Sequence, residues 1–219
     1  MGGLAFILPR DLRKHATQLN CKSWRLQALN LKIGNEIYLI INSYLPTDQR
    51  TGVVNQEVET VLAEVGHLIS STRFDALYVL GDLNCDFARD SSHVDTVEDF
   101  IHQYNLFTAW NKFQVDFTHM SENKEGVSFT STIDHILTLQ RDEDKMVNAG
   151  VIHRVENTSD HELIYGVINV SIIEIPNVKN HHNSERTNKG KPSWSKASVD
   201  QKLEYNDLLF RRQEFHQWL

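Results

Sequence analysis

Two hydrophobic periods run along this chain, and the switches between them mark its elements. The stretches "WRLQALNLKI" and "EIYLIINSYL" are strand-like and are joined by Gly34-Asn35, a pair that accepts the backbone of a tight hairpin. Ile37 to Ile41 is apolar without interruption. A strand with one wet face alternates, so this one is expected to be covered on both faces. Between residues 53 and 70 the period changes. Val54, Val58, Val61, Leu62, Val65 and Ile69 recur at helical spacing with acids between them, which predicts an amphipathic helix. "DALYVLGD" then reads as a short buried strand and "VDTVEDFIHQYN" as a short helix. "SFTSTIDHILTL" reads as a strand pair or a bent strand with Asp134 inside it, and "MVNAGVIHRV" and "HELIYGVINVSII" as further strands. Strand, helix, strand, helix and then several strands predict a layered α/β domain over residues 1–175.

Near Pro176 the pattern dissolves. Residues 176–194 are polar with few aliphatics and read as a linker. His181 and His182 stand in it without further ligands at metal-site spacing, so they read as solvated linker histidines. Over 195–219 the positions Val199, Leu203, Leu208, Leu209, Phe210, Phe215, Trp218 and Leu219 predict a helix with an apolar face to bury.

Composition narrows the class. With 219 residues and 40% apolar content, the chain can enclose one α/β core. It has no apolar run near the length of a membrane span, so no membrane partner is expected. Leu4 to Leu8 is too short for a secretory signal and has no basic leader. Phe6 stands where a myristoylation motif after Gly2 needs Ser or Thr. Cys21 and Cys85 make neither a disulfide framework nor a zinc site. A reducing intracellular setting, nucleus or cytoplasm, is expected, and the sequons at Asn157 and Asn169 read as chance matches. Charge is uneven: residues 1–50 are net +4, residues 51–165 net −13 and residues 166–219 net +2. An acidic middle argues against gripping nucleic acid with a broad basic face. Contact with phosphates would have to be local and metal-assisted.

Four short stretches carry candidate chemistry. Gly81-Asp82-Leu83-Asn84 follows the apolar run Tyr78-Val79-Leu80; a turn uses the same letters. Tyr44 follows a buried strand two residues before Pro46, Asp134 sits among strand aliphatics, and Asp160-His161 precedes an apolar strand. Each has an ordinary reading: a ring at the core edge, a hydrogen-bonded buried acid, a turn residue. An unpaired carboxylate among aliphatics is costly, and all of these lie at strand ends. One shared site explains them together. By strand alternation His135 points away from Asp134 and Cys85 away from Asn84, so both read as packing residues, and Asp86 as surface.

The ordered set Y-x-P, G-D-x-N, S-x-I-D-H-I and S-D-H resembles the endonuclease/exonuclease/phosphatase superfamily, and within it the endonuclease domain of LINE-type retrotransposons. "GGLAFILPRDL" is similar to an apolar strand segment of that group, and "KPSWSKASVDQKLEYNDLLFRR" to the segment leading to a reverse transcriptase. The resemblance implies a four-layered α/β sandwich, two mixed sheets flanked by helices, with the site at one rim. It implies Mg²⁺- or Mn²⁺-dependent phosphodiester hydrolysis with DNA as substrate, and a reverse transcriptase domain as partner in the parent protein. Residue by residue it implies that His161, paired with Asp134, polarises or protonates a phosphate oxygen. Asp82 orients or deprotonates the attacking water, and Asn84 fixes phosphate and water. Tyr44 and Ser131 contact the phosphate, and Asp160 lies by the metal. It also implies earlier strands bearing an asparagine and the main metal-binding glutamate. No Gln-Glu precedes an apolar strand upstream of Tyr44, and Glu36 is at a hairpin rim. A fold lacking its first strands, truncated biologically or in the gene model, is therefore expected, with the strand after His161 left with an open edge. Two other readings stand beside the nuclease: an inactive remnant or interaction module of the same fold, and a phosphoinositide phosphatase or sphingomyelinase relative.

Overall fold

The computed structural model describes residues 3–48, 55–153 and 157–170. The expected linker, the helical segment over 195–219, His181, His182, the end of the domain after residue 170 and the helix start at 53–54 lie outside them.

Helix α1 (Arg10–Arg13) and strand β1 (Ala16–Leu19) precede a long hairpin of β2 (Leu26–Ile33) and β3 (Glu36–Ser43). Gly34, at φ +61°, makes its two-residue turn and sets the register Ile33 opposite Glu36. The chain crosses through α2 (Gln56–Ser71) to β4 (Ala76–Asp82), which runs parallel to β3. The Asn55 side chain caps α2 by accepting the Glu57 N–H at 2.9 Å. Helix α3 (Ser92–Gln103), capped by Ser91, leads to β5 (Leu106–Thr108). A two-stranded ribbon, β6 (His119–Glu122) with β7 (Ser128–Ser131), comes before β8 (Asp134–Leu139). The described part closes with the antiparallel pair β9 (Met146–Ile152) and β10 (Leu163–Ile168).

The main sheet has six strands in the order β1-β2-β3-β4-β8-β5; only β3 and β4 pair in parallel. Its two faces build separate cores. On one, Leu39, Ile41, Leu77, Val79 and Leu137 meet Val58, Val61 and Val65 of α2 and Val97 of α3. On the other, Leu29, Leu31, Tyr38, Tyr78 and Ile136 meet Met146 and Ala149 of the β9–β10 layer. Each aliphatic side chain so buried contributes about 1.5–3 kcal/mol. This two-sided cover explains the unbroken apolar run of β3: Leu39 and Ile41 face one core, Tyr38 and Ile40 the other. The protein is thus a mixed α/β sandwich. Among the described residues its layers are helices, the six-stranded mixed sheet and the two-stranded sheet.

Two features differ from the sequence expectation. Leu4–Leu8 forms no strand. Phe6 and Leu8 pack into the second core while Ile7 stays 79% exposed, so the alternation is real, but no backbone among the described residues pairs with it as a strand. Strands β1, β5 and β6 carry too few residues for a period to be visible. Among the described residues β10 pairs on one side only, with Leu163 and Val167 exposed. No helix there is long and apolar enough to cross a membrane.

Candidate active site

The C-terminal ends of β3 and β4, the start of β8 and the turn before β10 meet at one cleft of about 540 Å³. Tyr44, Asp82, Asn84, Ser131, Asp160 and His161 line it, together with Asp48, Arg89 and His119.

Gly81 is what lets β4 reach this rim. Its φ is +133°, and a Cβ there would stand 2.1 Å from the Ser43 carbonyl oxygen. Only glycine fits both constraints. The next residue, Asp82, lies directly opposite Asp134 in the β4–β8 register. Two facing carboxylates repel, and His161 relieves them. Its Nδ1 is 2.9 Å from Asp134 Oδ2 and its Nε2 3.9 Å from Asp82 Oδ2. Burial disfavours charge on His161, but the Asp134 hydrogen bond and the charges of Asp134, Asp82 and Asp160 outweigh it and raise its pKa. Asp82 is pushed up to about 6, first by burial and then by Asp134, against the lowering effect of Asn84 and His161.

Asn84 adopts a left-handed backbone, φ +48°, which asparagine tolerates. Its N–H donates to Asp82 Oδ1 at 2.8 Å; its side-chain amide donates to the Leu45 carbonyl at 2.8 Å and to Asp82 Oδ2 at 3.1 Å. The pair is thereby locked at the end of the strand. Tyr44 stands on the opposite wall, its ring 6.3 Å from that of Trp24, with the Arg25 guanidinium over both rings. Asp160 is 67% exposed at the rim. Ser131 is buried, and its hydroxyl bonds the Nδ1 of His119 at 3.1 Å. Buried His135 reaches the Cys85 carbonyl through Nε2 at 2.7 Å. Asp86 is half-buried, with Arg89 at 3.3 Å and the Ala88 N–H at 3.2 Å.

Several residues at this site carry no signal in the sequence. Thr118, fully buried, accepts the N–H groups of both Ile133 and Asp134 at 3.0 Å, and Trp110 Nε1 donates to the Asp134 carbonyl at 2.9 Å. They hold Asp134 in place. His119 is edge-on to His161, ring centroids 4.9 Å apart. It sits in a four-residue, mostly exposed strand without periodicity; only its nearness to Ser131 across the ribbon, visible after folding, picks it out.

The cleft's donors are oxygen-rich: the carboxylates of Asp82 and Asp160 and the amide of Asn84. Such a set suits a hard cation such as Mg²⁺, which needs one or two carboxylates and keeps waters and substrate oxygens for the rest. Among the described residues no three His, Cys, Asp or Glu side chains form a cage for a cation that demands one.

No protein-family model matches the sequence, and no curated protein does. Solved structures do. The endonuclease domain of TRAS1, a telomere-specific non-LTR retrotransposon, superposes with a TM-score of 0.63 at 15% identity, over 75% of this chain and 72% of that one. The Neisseria 3′ phosphatase NExo, bound to a product DNA hairpin, gives 0.55 at 16% over 74% and 72%. TDP2 from D. rerio, complexed with a single-strand DNA product, gives 0.53 at 16% over 72% and 70%. At such identities the likeness is one of architecture, and the architecture of this chain is the endonuclease/exonuclease/phosphatase fold.

Proposed function

We propose that the chain is a phosphodiester hydrolase and that its substrate is DNA. The observation that carries this reading is His161 held between Asp134 and Asp82 in a cleft that also presents Asn84 and Tyr44. A phosphodiester resists water because it is already anionic, so its hydrolysis needs positive charge at the phosphate and an activated nucleophile. Asp134 keeps the imidazole of His161 charged and oriented, so that its Nε2–H faces the phosphate. Asp82, with its raised pKa, takes the proton of the attacking water as the water oxygen bonds to phosphorus. The bond to the leaving sugar oxygen breaks, and that oxygen takes a proton from solvent. The Asn84 amide, its N–H groups given to Leu45 and Asp82, holds the Asp82 carboxylate toward the water, and the Tyr44 hydroxyl holds a non-bridging oxygen. Asp160 and the Asn84 amide oxygen would hold the divalent metal, Mg²⁺ or Mn²⁺; bound there, it supplies Lewis-acid charge to the phosphate.

The two neighbours bound to DNA products support DNA over a lipid or inositol phosphate. The resemblance of the motifs extends the reading to a retrotransposon-derived endonuclease working beside a reverse transcriptase domain. The test is nicking of supercoiled plasmid by the full chain in Mg²⁺. Asp82→Ala and chelation should each reduce nicking by at least about 100-fold. Equal nicking by wild type and Asp82→Ala refutes the reading and leaves the interaction-module alternative.

A further inference from the structure

We propose that His119 is a second phosphate-binding residue of this cleft, a fixed N–H donor that works beside His161. The inference rests on the phosphodiester reading of the site and adds to it a group that the sequence motifs do not contain.

The argument begins with charge. Among the described residues, the cleft wall carries the carboxylates of Asp48, Asp82 and Asp160 and the arginine Arg89, which is engaged by Asp86. An anionic ligand therefore needs donors aimed at it from fixed positions, and His119 is built as one. Its ring is largely buried, at 19% side-chain exposure, and is held on three sides. Ser131, only 8% exposed, bonds Nδ1 at 3.1 Å. The His161 ring packs against it at 62°. The two backbones bridge, His119 to His161, with the Met120 N–H donating to the Asp160 carbonyl at 2.8 Å and the Glu162 N–H to the Thr118 carbonyl at 2.7 Å. The ribbon and the turn before β10 are thus joined by two backbone hydrogen bonds.

Nε2 lies 3.6 Å from Asp160 Oδ2. In the proposed arrangement the proton is on Nε2, with Nδ1 accepting from the Ser131 hydroxyl at 3.1 Å. At 3.6 Å the Nε2–H is too far from Asp160 for a true hydrogen bond. His119 lines the cleft, and a phosphate oxygen is an acceptor that can take this N–H there. Ser131 then acts through His119 as a positioning residue, which gives its buried hydroxyl a role without direct substrate contact.

The experiment is a titration of the full chain with a dithymidine phosphodiester in chelator, followed by imidazole ¹H–¹⁵N NMR and repeated with His119→Phe. Phenylalanine keeps the ring and its packing on His161 but has no donor. In the wild type His119 should show the Nε2–H tautomer, and its Nε2 should shift on titration together with that of His161. His119→Phe should weaken binding by about tenfold, the worth of one charge-assisted hydrogen bond. A His119 protonated on Nδ1 alone, a silent Nε2, undiminished affinity in His119→Phe, or no binding by the wild type would each overturn the proposal. The wild-type ring signals decide the matter even if the variant folds poorly. Plasmid nicking is read separately: nicking without a His119 response sinks this inference alone, and a His119 response without nicking sinks the hydrolase reading alone.

Discussion

At the scale of residues the site is a contest between burial and charge. Asp82 is held in a place that disfavours its ionised form, with Asp134 opposite it, and the result is a carboxylate that titrates near 6. His161 moves the other way in consequence: burial opposes its charge, but Asp134 overcomes that and raises the pKa from 6.5. These directions fix the pH dependence of catalysis. The base form of Asp82 grows as pH rises through about 6, and the acid form of His161 is lost as pH rises past its own raised value. The log of kcat/KM against pH should therefore climb to about 6 and fall only on the alkaline side of 6.5. A profile flat from pH 5 to 9 would remove Asp82 as the base and the charged form of His161 from the reaction. The gathering of these residues in one place was legible in the sequence because aspartate, asparagine and histidine at strand ends are conspicuous. Thr118 and Trp110 were not, because a threonine hydroxyl that accepts two backbone N–H groups looks like any buried threonine until the fold supplies its partners.

At the scale of elements, the site depends on strands that end at the same rim. Strand β4 can lie so close to β3 only because residue 81 has no side chain. Gly81→Ala forces a methyl group against the Ser43 carbonyl and a left-handed backbone on alanine, and should cost about 2 kcal/mol or more by denaturant unfolding. A loss under 0.5 kcal/mol would mean that β3 relaxes freely and that Gly81 does not set the position of Asp82. The hairpin at Gly34, the covered strand β3 and helices α2 and α3 could be read from hydrophobic period alone, since each spans enough residues for the period to show. Strand β7 falls within the stretch read as a strand pair, but its partner β6 and the ribbon they form could not be read. Its four-residue strands leave Met120 and Phe129 exposed, which gives no inside-outside pattern, yet this ribbon brings His119 and Ser131 to the cleft. Two cleft-lining residues thus come from an element that packing barely marks.

At the scale of the whole molecule, the acidic middle of the chain sets what the proposed DNA substrate would meet. With residues 51–165 at net −13, that reading relies on no broad basic surface and puts phosphate contact at the cleft and its few donors. Binding of a short duplex in chelator should accordingly show a shallow salt dependence, a slope of log K against log salt no steeper than about −2. A slope near −6 would require a cationic face the described residues do not offer. The central claim remains that Asp134 and His161, 27 positions apart, act as a single unit on one phosphate. The direct measurement is a double-mutant cycle on kcat/KM for plasmid nicking, with Asp134→Ala, His161→Ala and the pair together. Groups that act as a unit are not additive: the double variant should be no slower than the slower single variant. Losses that multiply, or a wild type whose rate neither substitution changes, would contradict the account.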